Sequence, residues 1–333
     1  MPKIIPVFIN YAGCPHQCAF CNQHAINNQQ EFSLVAVQEQ IDKYLAYFTE
    51  TSEKELAFYG GSFTGLPVEW QEKLLTIADN LKKQGIVSKI RLSTRPDYIN
   101  TQIVNRLQHY GVSLVELGVQ SLDDKVLLVA KRGHDSKVVI NAVETLKNAN
   151  MAFGIQLMAG LPSQDWESII KTTQGILALR PSVVRIYPLV IFSGTDFAAA
   201  YEKGELEIAA FEDVVGQVAY MAEKFSQNNI KIIRIGLQED YGLHKAGAII
   251  GGFHHPAFGE LVFSHRYREK IEAFLPEHKN GKMDVYIPKR EFSQALGHRR
   301  ANAVYFAQKY TELKLKFISC NEDFLRVQSS EIE

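Results

Sequence analysis

Residues 14–21 read Cys14-Pro-His-Gln-Cys18-Ala-Phe-Cys21, so three of the four cysteines of the chain fall within eight positions. In a chain of this length, chance would produce a triplet at this spacing only about 0.0006 times. The cluster follows a β-rich apolar run from Ile4 to Asn10 and therefore lies in a loop after a predicted strand. A disulfide framework is excluded because such scaffolds are short and rich in cysteine. The spacing indicates a bound ligand.

Two kinds of metal site fit three clustered thiols. A structural zinc site takes four ligands, and His16 or His24 would have to supply the fourth. An iron–sulfur cluster can be held by three thiolates, with one iron left open for another ligand. The residues alone leave both interpretations open.

Beyond the cysteines, strands alternate with helices. Apolar β-rich runs predict strands at residues 4–10, 56–59, 90–94, 114–119, 153–158 and 183–189. Helical patterns lie between them, and Gly85, Gly111 and Pro181 mark helix ends. Six such units predict an α/β fold, a partial (β/α)6 barrel whose site lies at the carboxyl ends of the strands.

The three cysteines, with Phe20 just before the last, resemble the motif of the radical S-adenosylmethionine (SAM) superfamily. The resemblance implies a partial barrel and a 4Fe-4S cluster on Cys14, Cys18 and Cys21, whose fourth iron binds SAM. Reductive cleavage of SAM would yield a 5′-deoxyadenosyl radical that abstracts hydrogen from a substrate. It would also require a reductant such as flavodoxin or ferredoxin.

Motifs at other strand ends match SAM-binding elements of that superfamily. Gly60-Gly61-Ser62 lets the backbone approach a ligand closely, although Ser62 replaces a common glutamate. Arg95 could bind the SAM carboxylate and Thr94 a ribose hydroxyl. The alternative is a surface arginine beside a helix capped by Asp97. The expected SAM contacts are Phe20, Gly60, Gly61, Ser62, Thr94, Arg95, Gln120 and Ser121. No residue acting on the substrate itself is predicted.

Longer motifs resemble one particular branch of this superfamily. Residues 93–98 (STRPDY), 116–127 (ELGVQSLDDKVL), 132–134 (RGH) and 185–197 (RIYPLVIFSGTDF) are similar to the radical-SAM catalytic subunit of Elongator and its prokaryotic relatives. This implies modification of wobble uridine in tRNA. The compact cysteine spacing instead resembles the coproporphyrinogen oxidase and methylthiotransferase branches. Too few residues follow Ile235 for an acetyltransferase domain, and no acetyl-CoA loop is found, so acetyl-CoA chemistry is not expected.

The C-terminal residues predict a small β-α-α-β unit. Gly297-His298-Arg299-Arg300 between its helices resembles the G-x-x-G loop with which KH modules clamp single-stranded nucleic acid. Arg300 replaces the second glycine. The expected contacts to tRNA are Lys289, Arg290, Arg299 and Arg300. The alternative is a domain that only packs on the barrel. The predicted domains are a barrel at 1–240, a connector or lid at 241–280, and a small α+β, KH-like domain at 281–333.

Composition and charge limit the nucleic-acid and membrane partners that the chain can have. With 36 basic and 37 acidic side chains, the formal net charge is −1, so any nucleic-acid site must be a local patch. No apolar run approaches the roughly 18 residues of a membrane span, and no signal-peptide pattern is present. We expect a cytoplasmic protein without a membrane partner.

Three functions remain. They are radical chemistry on RNA, radical chemistry on a small molecule such as a tetrapyrrole, and non-catalytic RNA binding by an iron–sulfur or zinc protein. Gly60-Gly61, Arg95 and Gln120 argue against the last function. The basic C-terminal residues favour the first.

Overall fold

The computed structural model describes residues 2–9, 14, 17–22, 33–48, 52–237, 247–275 and 281–329. Contacts divide the chain into two units. The barrel unit comprises Met1–Ile208 and Phe225–His254, and the C-terminal unit comprises Ala209–Lys224 and His255–Glu333. No helix in the described ranges is long and apolar enough to cross a membrane.

The barrel unit is built on a curled sheet of seven parallel strands. The strands of this sheet are β1 (Lys3–Phe8), β2 (Lys54–Tyr59), β3 (Lys89–Thr94), β4 (Val112–Gln120), β5 (Phe153–Ala159), β6 (Val183–Pro188) and β8 (Lys231–Ile235). Two further strands, β7 (Val190–Phe192) and β9 (Ile249–Gly252), form a short antiparallel pair. Strands β1 to β6 lie in chain order, and β8 pairs in parallel with β6. The predicted α/β partial barrel is therefore confirmed, with β8 as a seventh strand beyond the six predicted units.

Helices connect these strands. They are α1 (Leu34–Tyr47), α2 (Val68–Lys83), α3 (Thr101–His109), α4 (Asp124–Val129), α5 (Ser136–Asn148), α6 (Trp166–Leu179), α7 (Asp196–Glu202) and α8 (Phe211–Gln227). Polar side chains fix several of their starts. The hydroxyl of Ser33 accepts a hydrogen bond from the Ala36 N–H at 3.1 Å, and Asp165 caps α6 in the same way. Such caps satisfy backbone donors that the first helical turn leaves free.

The two faces of the sheet differ in chemistry. Strand β6 shows the alternation clearly, because Val184 and Ile186 are buried and apolar whereas Arg185 and Tyr187 on the other face are half-buried. Successive side chains of a strand point to opposite faces. The face that carries Arg185 also carries charged and polar residues of the neighbouring strands.

The C-terminal unit contains a second sheet with its own core. Its elements are most of α8, α9 (Phe258–Phe274), β10 (Gly281–Pro288), α10 (Phe292–Leu296), α11 (Ala301–Lys309), β11 (Leu313–Cys320) and β12 (Arg326–Ser329). Strand β10 lies between β11, to which it is parallel, and β12, to which it is antiparallel. The predicted β-α-α-β order is therefore present as β10-α10-α11-β11.

Helix α9 belongs with this sheet. Its Tyr267 and Ile271 share one apolar cluster with Val285, Ile287 and Phe306. The sequence predicts a connector or lid at 241–280 that would include α9, whereas the contacts group α9 with the C-terminal sheet, because its apolar side chains are needed to cover β10. Residues 241–246 and 276–280 of that connector lie outside the described residues.

Candidate cofactor site

Backbone hydrogen bonds hold the cysteine loop on two sides. The Ala19 N–H donates to the Ala130 carbonyl at 3.1 Å, and the Phe197 N–H donates to the Ala19 carbonyl at 2.9 Å. The loop is thus fixed between the end of α4 and the start of α7. Cys18 is buried, whereas Cys14 and Cys21 are half-buried. His16 and His24, which the zinc interpretation requires, lie outside the described residues.

Two arginines meet at the buried thiol of Cys18. Its Sγ lies 3.1 Å from Arg132 Nη1 and 3.8 Å from Arg95 Nη1. Both arginines are buried, with 5% and 4% of their surface exposed. A metal-bound thiolate carries negative charge, so these guanidiniums complement a ligating Cys18.

The glycine loop after β2 reaches the same place. Burial raises the pKa of the Cys14 thiol above its ordinary value, while the guanidiniums of Arg95 and Arg132 and the backbone N–H of Ser62 act in the opposite direction. The loops after β1, β2 and β3 therefore meet at the cysteines, as parallel strands with adjacent carboxyl ends require.

Three hydroxyl groups tie the glycine loop to β3. Thr94 Oγ1 lies 2.9 Å from Ser62 Oγ and 2.6 Å from Thr64 Oγ1, and the Arg95 N–H donates to Ser62 Oγ at 3.2 Å. The side chains of Ser62 and Thr94, expected to contact SAM, are thus bonded to protein groups. Gly60 and Gly61, which are only half-buried, leave the backbone of this loop accessible.

Arg95 is oriented by Asp97. Its Nε lies 2.9 Å from one Asp97 oxygen and its Nη2 lies 3.1 Å from the other. The following helix α3 is capped by Asn100 and not by Asp97, as the alternative interpretation held, and Arg95 is buried rather than on the surface. The Nη1 group of Arg95 is the part directed at Cys18.

Gln120 and Ser121 occupy different settings at the end of β4. Gln120 has a φ of 70°, and its Nε2 would lie 3.3 Å from a Cβ built on Gly118, so its side chain folds back over that glycine. Ser121 is fully buried, contacts Thr172 Oγ1 at 3.1 Å and accepts from the Asp123 N–H at 3.0 Å. Gln120 lies beside the site, whereas the Ser121 hydroxyl serves the turn into α4.

Arg132 also contacts the cysteine loop, although it is not among the SAM contacts expected from the sequence. Besides Cys18 it donates to the Gly118 carbonyl, and its guanidinium carbon lies 5.9 Å from the centre of the Phe20 ring. The RGH motif was the available signal, but spacing along the chain does not reveal a contact between residues 18 and 132.

Two polar atoms at this place are buried without a partner among the described residues. They are Arg132 Nε and His134 Nε2. Buried polar atoms are normally hydrogen-bonded, so such atoms fit a site that receives a polar ligand. Burial, followed by the charge of Arg132, also lowers the pKa of His134 to about 4, which leaves the ring neutral at pH 7.

The donor set fits an iron–sulfur cluster. Among the described residues, no three His, Cys, Asp or Glu side chains gather around a single point as the ligands of one ion do. The thiolates of an iron–sulfur cluster bind different iron atoms, so they do not need to gather around a single point. Cys14, Cys18 and Cys21 in one loop, with two cations beside them, supply three thiolates of this kind.

Family comparisons agree with this geometry. Residues 9–174 match the radical SAM superfamily, and residues 181–268 match the radical SAM C-terminal domain. A tRNA uridine(34) acetyltransferase of Methanocaldococcus infernus is 26% identical over 308 residues, covering 80% of this chain and 56% of that protein. The heme chaperone HemW of Lactococcus lactis is 25% identical over 225 residues, covering 65% and 57%. The chain thus spans little more than half the length of these relatives.

Solved structures show the same fold. The archaeal Methanocaldococcus infernus Elp3 with an N-terminal deletion matches with a TM-score of 0.64 and 23% identity, over 81% of this chain and 63% of that one. Coproporphyrinogen III oxidase (HemN) from Escherichia coli matches with a TM-score of 0.51 and 20% identity, over 68% and 53%. The sequence match, the curled parallel sheet and the cysteine loop at its carboxyl edge place this protein in the radical SAM superfamily, whose enzymes use a 4Fe-4S cluster and SAM.

Proposed function

We propose that this enzyme holds a 4Fe-4S cluster on Cys14, Cys18 and Cys21, cleaves SAM reductively and acts on an RNA base, of the wobble-uridine type in tRNA. The observation that carries the proposal is the contact of Arg132 and Arg95 with Cys18, because it joins the ends of three strands at the cysteine loop. When bound, the cluster and SAM supply the electron transfer and the radical chemistry.

The chain itself binds and orients these groups. Phe20 and Gln120 lie next to Arg132, and the backbone of Ser62, which directly follows Gly60-Gly61, lies next to Cys14. In this proposal Arg132 and Arg95 are the cations nearest to a SAM carboxylate, while Ser62, Thr94 and Ser121 hold the loops in place. Flavodoxin or ferredoxin as reductant and a cytoplasmic location stay predictions.

A rigid basic turn in the C-terminal unit supports RNA as substrate. Gly297, Arg299 and Arg300 all have positive φ values, 79°, 51° and 62°, and both arginine side chains are exposed. Buried Asn302 holds the turn by donating to the carbonyls of Ser264 at 2.8 Å and Ala295 at 3.0 Å. Left-handed geometry at two arginines costs free energy, so the surrounding structure must enforce it.

The expected RNA contacts are not equivalent. Arg290 pairs with Glu291 at 3.1 Å and with Asp323 at 3.5 Å, so part of its charge is already neutralised. Lys289, Arg299 and Arg300 are exposed and have no ion pair among the described residues. These three side chains are therefore better placed than Arg290 to neutralise phosphate.

A small molecule such as a tetrapyrrole is the second candidate substrate. The similarity to HemW and to coproporphyrinogen III oxidase favours it. The similarity to tRNA uridine(34) acetyltransferase, which covers more of this chain, favours RNA.

Anaerobic reconstitution tests the cofactor part of the proposal. We expect about four irons per chain and dithionite-dependent formation of 5′-deoxyadenosine from SAM. Changing Cys14, Cys18 or Cys21 to Ala abolishes both, because two remaining thiolates hold a cluster poorly. The matched control is Cys320→Ala on β11, which retains both properties. Stoichiometric zinc without SAM cleavage would contradict the proposal.

Salt-dependent binding of bulk tRNA tests the RNA part. Each neutralised phosphate contributes a log–log slope of about −0.7 to −0.9, so Arg299→Glu/Arg300→Glu flattens the slope by about one to two units. Lys137→Glu/Lys147→Glu on α5 produces the same change in net charge on exposed residues elsewhere and leaves the slope unchanged. Equal slopes for the wild type and the arginine variant would leave the tetrapyrrole candidate ahead.

A further inference from the structure

The sheet of the C-terminal unit has two chemically different sides. One side packs against α9, α10 and α11 through the apolar cluster that contains Val285 and Ile287 of β10. The other side, the open face, carries Lys282 on β10 and Lys314 and Lys316 on β11, and all three side chains are exposed. Alternate residues of a strand point to opposite sides, which is why one strand can carry both the apolar cluster and the lysines.

The register of the strands brings the three lysines together. β10 and β11 are parallel, and Lys282 lies directly opposite Lys314. Lys316 follows two residues later, about 6.6 Å along β11, on a strand about 4.8 Å from β10. None of the three has an ion pair in the part of the chain that the structure describes. Like charges directly opposite each other destabilise a sheet, so the pair of Lys282 and Lys314 does not serve the fold.

Positive charge is concentrated in this part of the chain. Residues 281–329 carry nine basic and five acidic side chains, although the formal net charge of the whole chain is −1. On the open face, Asp284 lies opposite Lys316, and Glu322 bonds Arg326 at 3.3 Å. The three lysines and Arg326 outnumber these two carboxylates. The open face is therefore complementary to a polyanion.

Protection of a sheet edge does not explain these lysines. Lysine on an edge strand discourages pairing with another chain, and β11 is an edge strand. Lys282, however, lies on the central strand β10, which is already paired with β11 on one side and β12 on the other. Its charge therefore has no role in blocking an edge.

A stacked guanidinium lies on the same face. Tyr286 on β10 is directly opposite Arg326 on β12, and the guanidinium carbon of Arg326 lies 4.3 Å from the centre of the Tyr286 ring. Arg326 Nη1 donates to Gln328 Oε1 at 2.8 Å, and its Nη2 donates to Glu322. These contacts fix the guanidinium over the tyrosine ring. The Arg326 side chain is still 41% exposed, so this planar group is accessible to a ligand.

We propose that the open face of the C-terminal sheet binds a single-stranded segment of RNA. One base stacks on the Arg326 guanidinium, and Lys282, Lys314 and Lys316 neutralise phosphates on the same strand of RNA. Four residues of β10, about 13 Å, separate Lys282 from Tyr286, a length that a short single strand can span. Stacking on a planar side chain requires an unpaired base, which a duplex does not offer.

This surface is separate from the basic turn at Gly297–Arg300, which lies between α10 and α11. The inference rests on the proposed function, since it assigns a second place of contact with the RNA substrate. It adds a stacking contact to the phosphate contacts expected at the turn.

Binding of single-stranded RNA to the reconstituted protein tests the open face. The probe is a fluorescently labelled strand of about twelve uridines, used alone and annealed to its complement, and fluorescence anisotropy measures the affinity. We expect the single strand to bind more tightly than the duplex, because its bases are free to stack on a side chain.

Arg326→Lys keeps the positive charge and removes the planar group. We expect this variant to bind the single strand about tenfold more weakly, the effect of losing one stacked base, with an unchanged salt slope. Arg268→Lys is the matched control, because it removes a similar stack, 4.5 Å from the centre of the Tyr305 ring, between α9 and α11. The control retains the wild-type affinity.

Lys282→Glu/Lys314→Glu tests the lysines. The variant loses two phosphate contacts, so we expect the log–log salt slope of single-strand binding to flatten by about one to two units. Lys137→Glu/Lys147→Glu on α5 produces the same change in net charge and leaves the slope unchanged. Thermal unfolding confirms that each variant is folded.

Three results would overturn the inference. They are wild-type affinity of Arg326→Lys for the single strand, equal affinities of the wild type for single strand and duplex, and displacement of the single strand by polyglutamate of equal charge, which would assign the face to an acidic protein. None of these measurements depends on SAM cleavage or on Arg299 and Arg300. Failure of the open face and failure of the proposed function are therefore distinguishable.

Discussion

Arg132 Nη1 lies 3.1 Å from Cys18 Sγ, although 114 residues separate the two in the chain. Arg132 follows α4, and Cys18 lies in the loop after β1, so the contact exists only because the carboxyl ends of the strands form one edge. The same guanidinium holds the Gly118 carbonyl and contacts the ring of Phe20. One side chain thereby links the cysteine loop to β4.

Arg132→Met is expected to weaken cluster retention. The substitution keeps much of the side-chain volume but removes the charge-assisted hydrogen bonds to Cys18 and Gly118, each worth about 1.5–3 kcal/mol. We expect faster loss of iron to an anaerobic chelator, followed by the bleaching of cluster absorbance. Lys131→Met is the matched control, because its ion pair with Asp196 is exposed and contributes little. Identical rates of iron loss in the two variants would contradict the role of Arg132.

Glu116→Gln is expected to destabilise the barrel unit by about 3 to 5 kcal/mol, because it leaves Arg91 and Arg185 buried with too little negative charge. Urea unfolding followed by far-UV circular dichroism measures the change. Glu69→Gln is the control, since Glu69 pairs with Lys73 on the open surface of α2. If both variants unfold at the wild-type midpoint, Glu116 does not balance the charges of Arg91 and Arg185.

His134 is expected to make stability depend on pH below neutrality. Burial lowers its pKa to about 4 from an ordinary value of 6.5. Between pH 4 and pH 6.5 the unfolded chain therefore binds a proton at this ring that the folded chain does not bind. The free energy of unfolding therefore falls as the pH drops from 6.5 towards 4, by about 1 to 2 kcal/mol for this partly exposed ring.

Replacing the ring isolates that contribution. Urea titrations of the apoprotein at pH 6.5 and 4.5 should show a smaller decrease for His134→Gln than for the wild type. His109→Gln, on the exposed surface of α3, should follow the wild type. A decrease that His134→Gln leaves unaltered would assign the effect to other groups.

Gly297→Ala is expected to disrupt the basic turn. A Cβ at this position would lie 2.5 Å from Ser264 Oγ, at a φ of 79° that disfavours any L side chain. We expect a loss of about 2 to 3 kcal/mol in stability, together with weaker tRNA binding. Gly281→Ala has φ +90° and nothing within 4 Å, so it carries only the backbone cost of about 1 kcal/mol. Equal losses would show that the contact with Ser264 is unimportant.

Much of the fold follows from local pattern. Apolar runs and helix-ending glycines are properties of short segments, and they predicted the order of strands and helices. The cysteine triplet likewise predicted a bound metal site, because ligands within one loop depend on spacing along the chain, and its resemblance to the radical SAM motif indicated the cofactor class. The seventh strand required pairing of β8 with β6, which no local pattern specifies.

The neighbourhood of the cysteines depends on tertiary structure. The sequence placed Arg95 and Ser62 near the site, but only the folded chain shows that Arg95 is oriented by Asp97 and that the Ser62 hydroxyl contacts Thr94. Charges inside strand patterns, at Arg91, Glu116 and Arg185, were visible in the sequence. Their meeting on one concave face was not, because side-chain alternation fixes a face within each strand, whereas the curl and register of the sheet decide which strands bring their charges together.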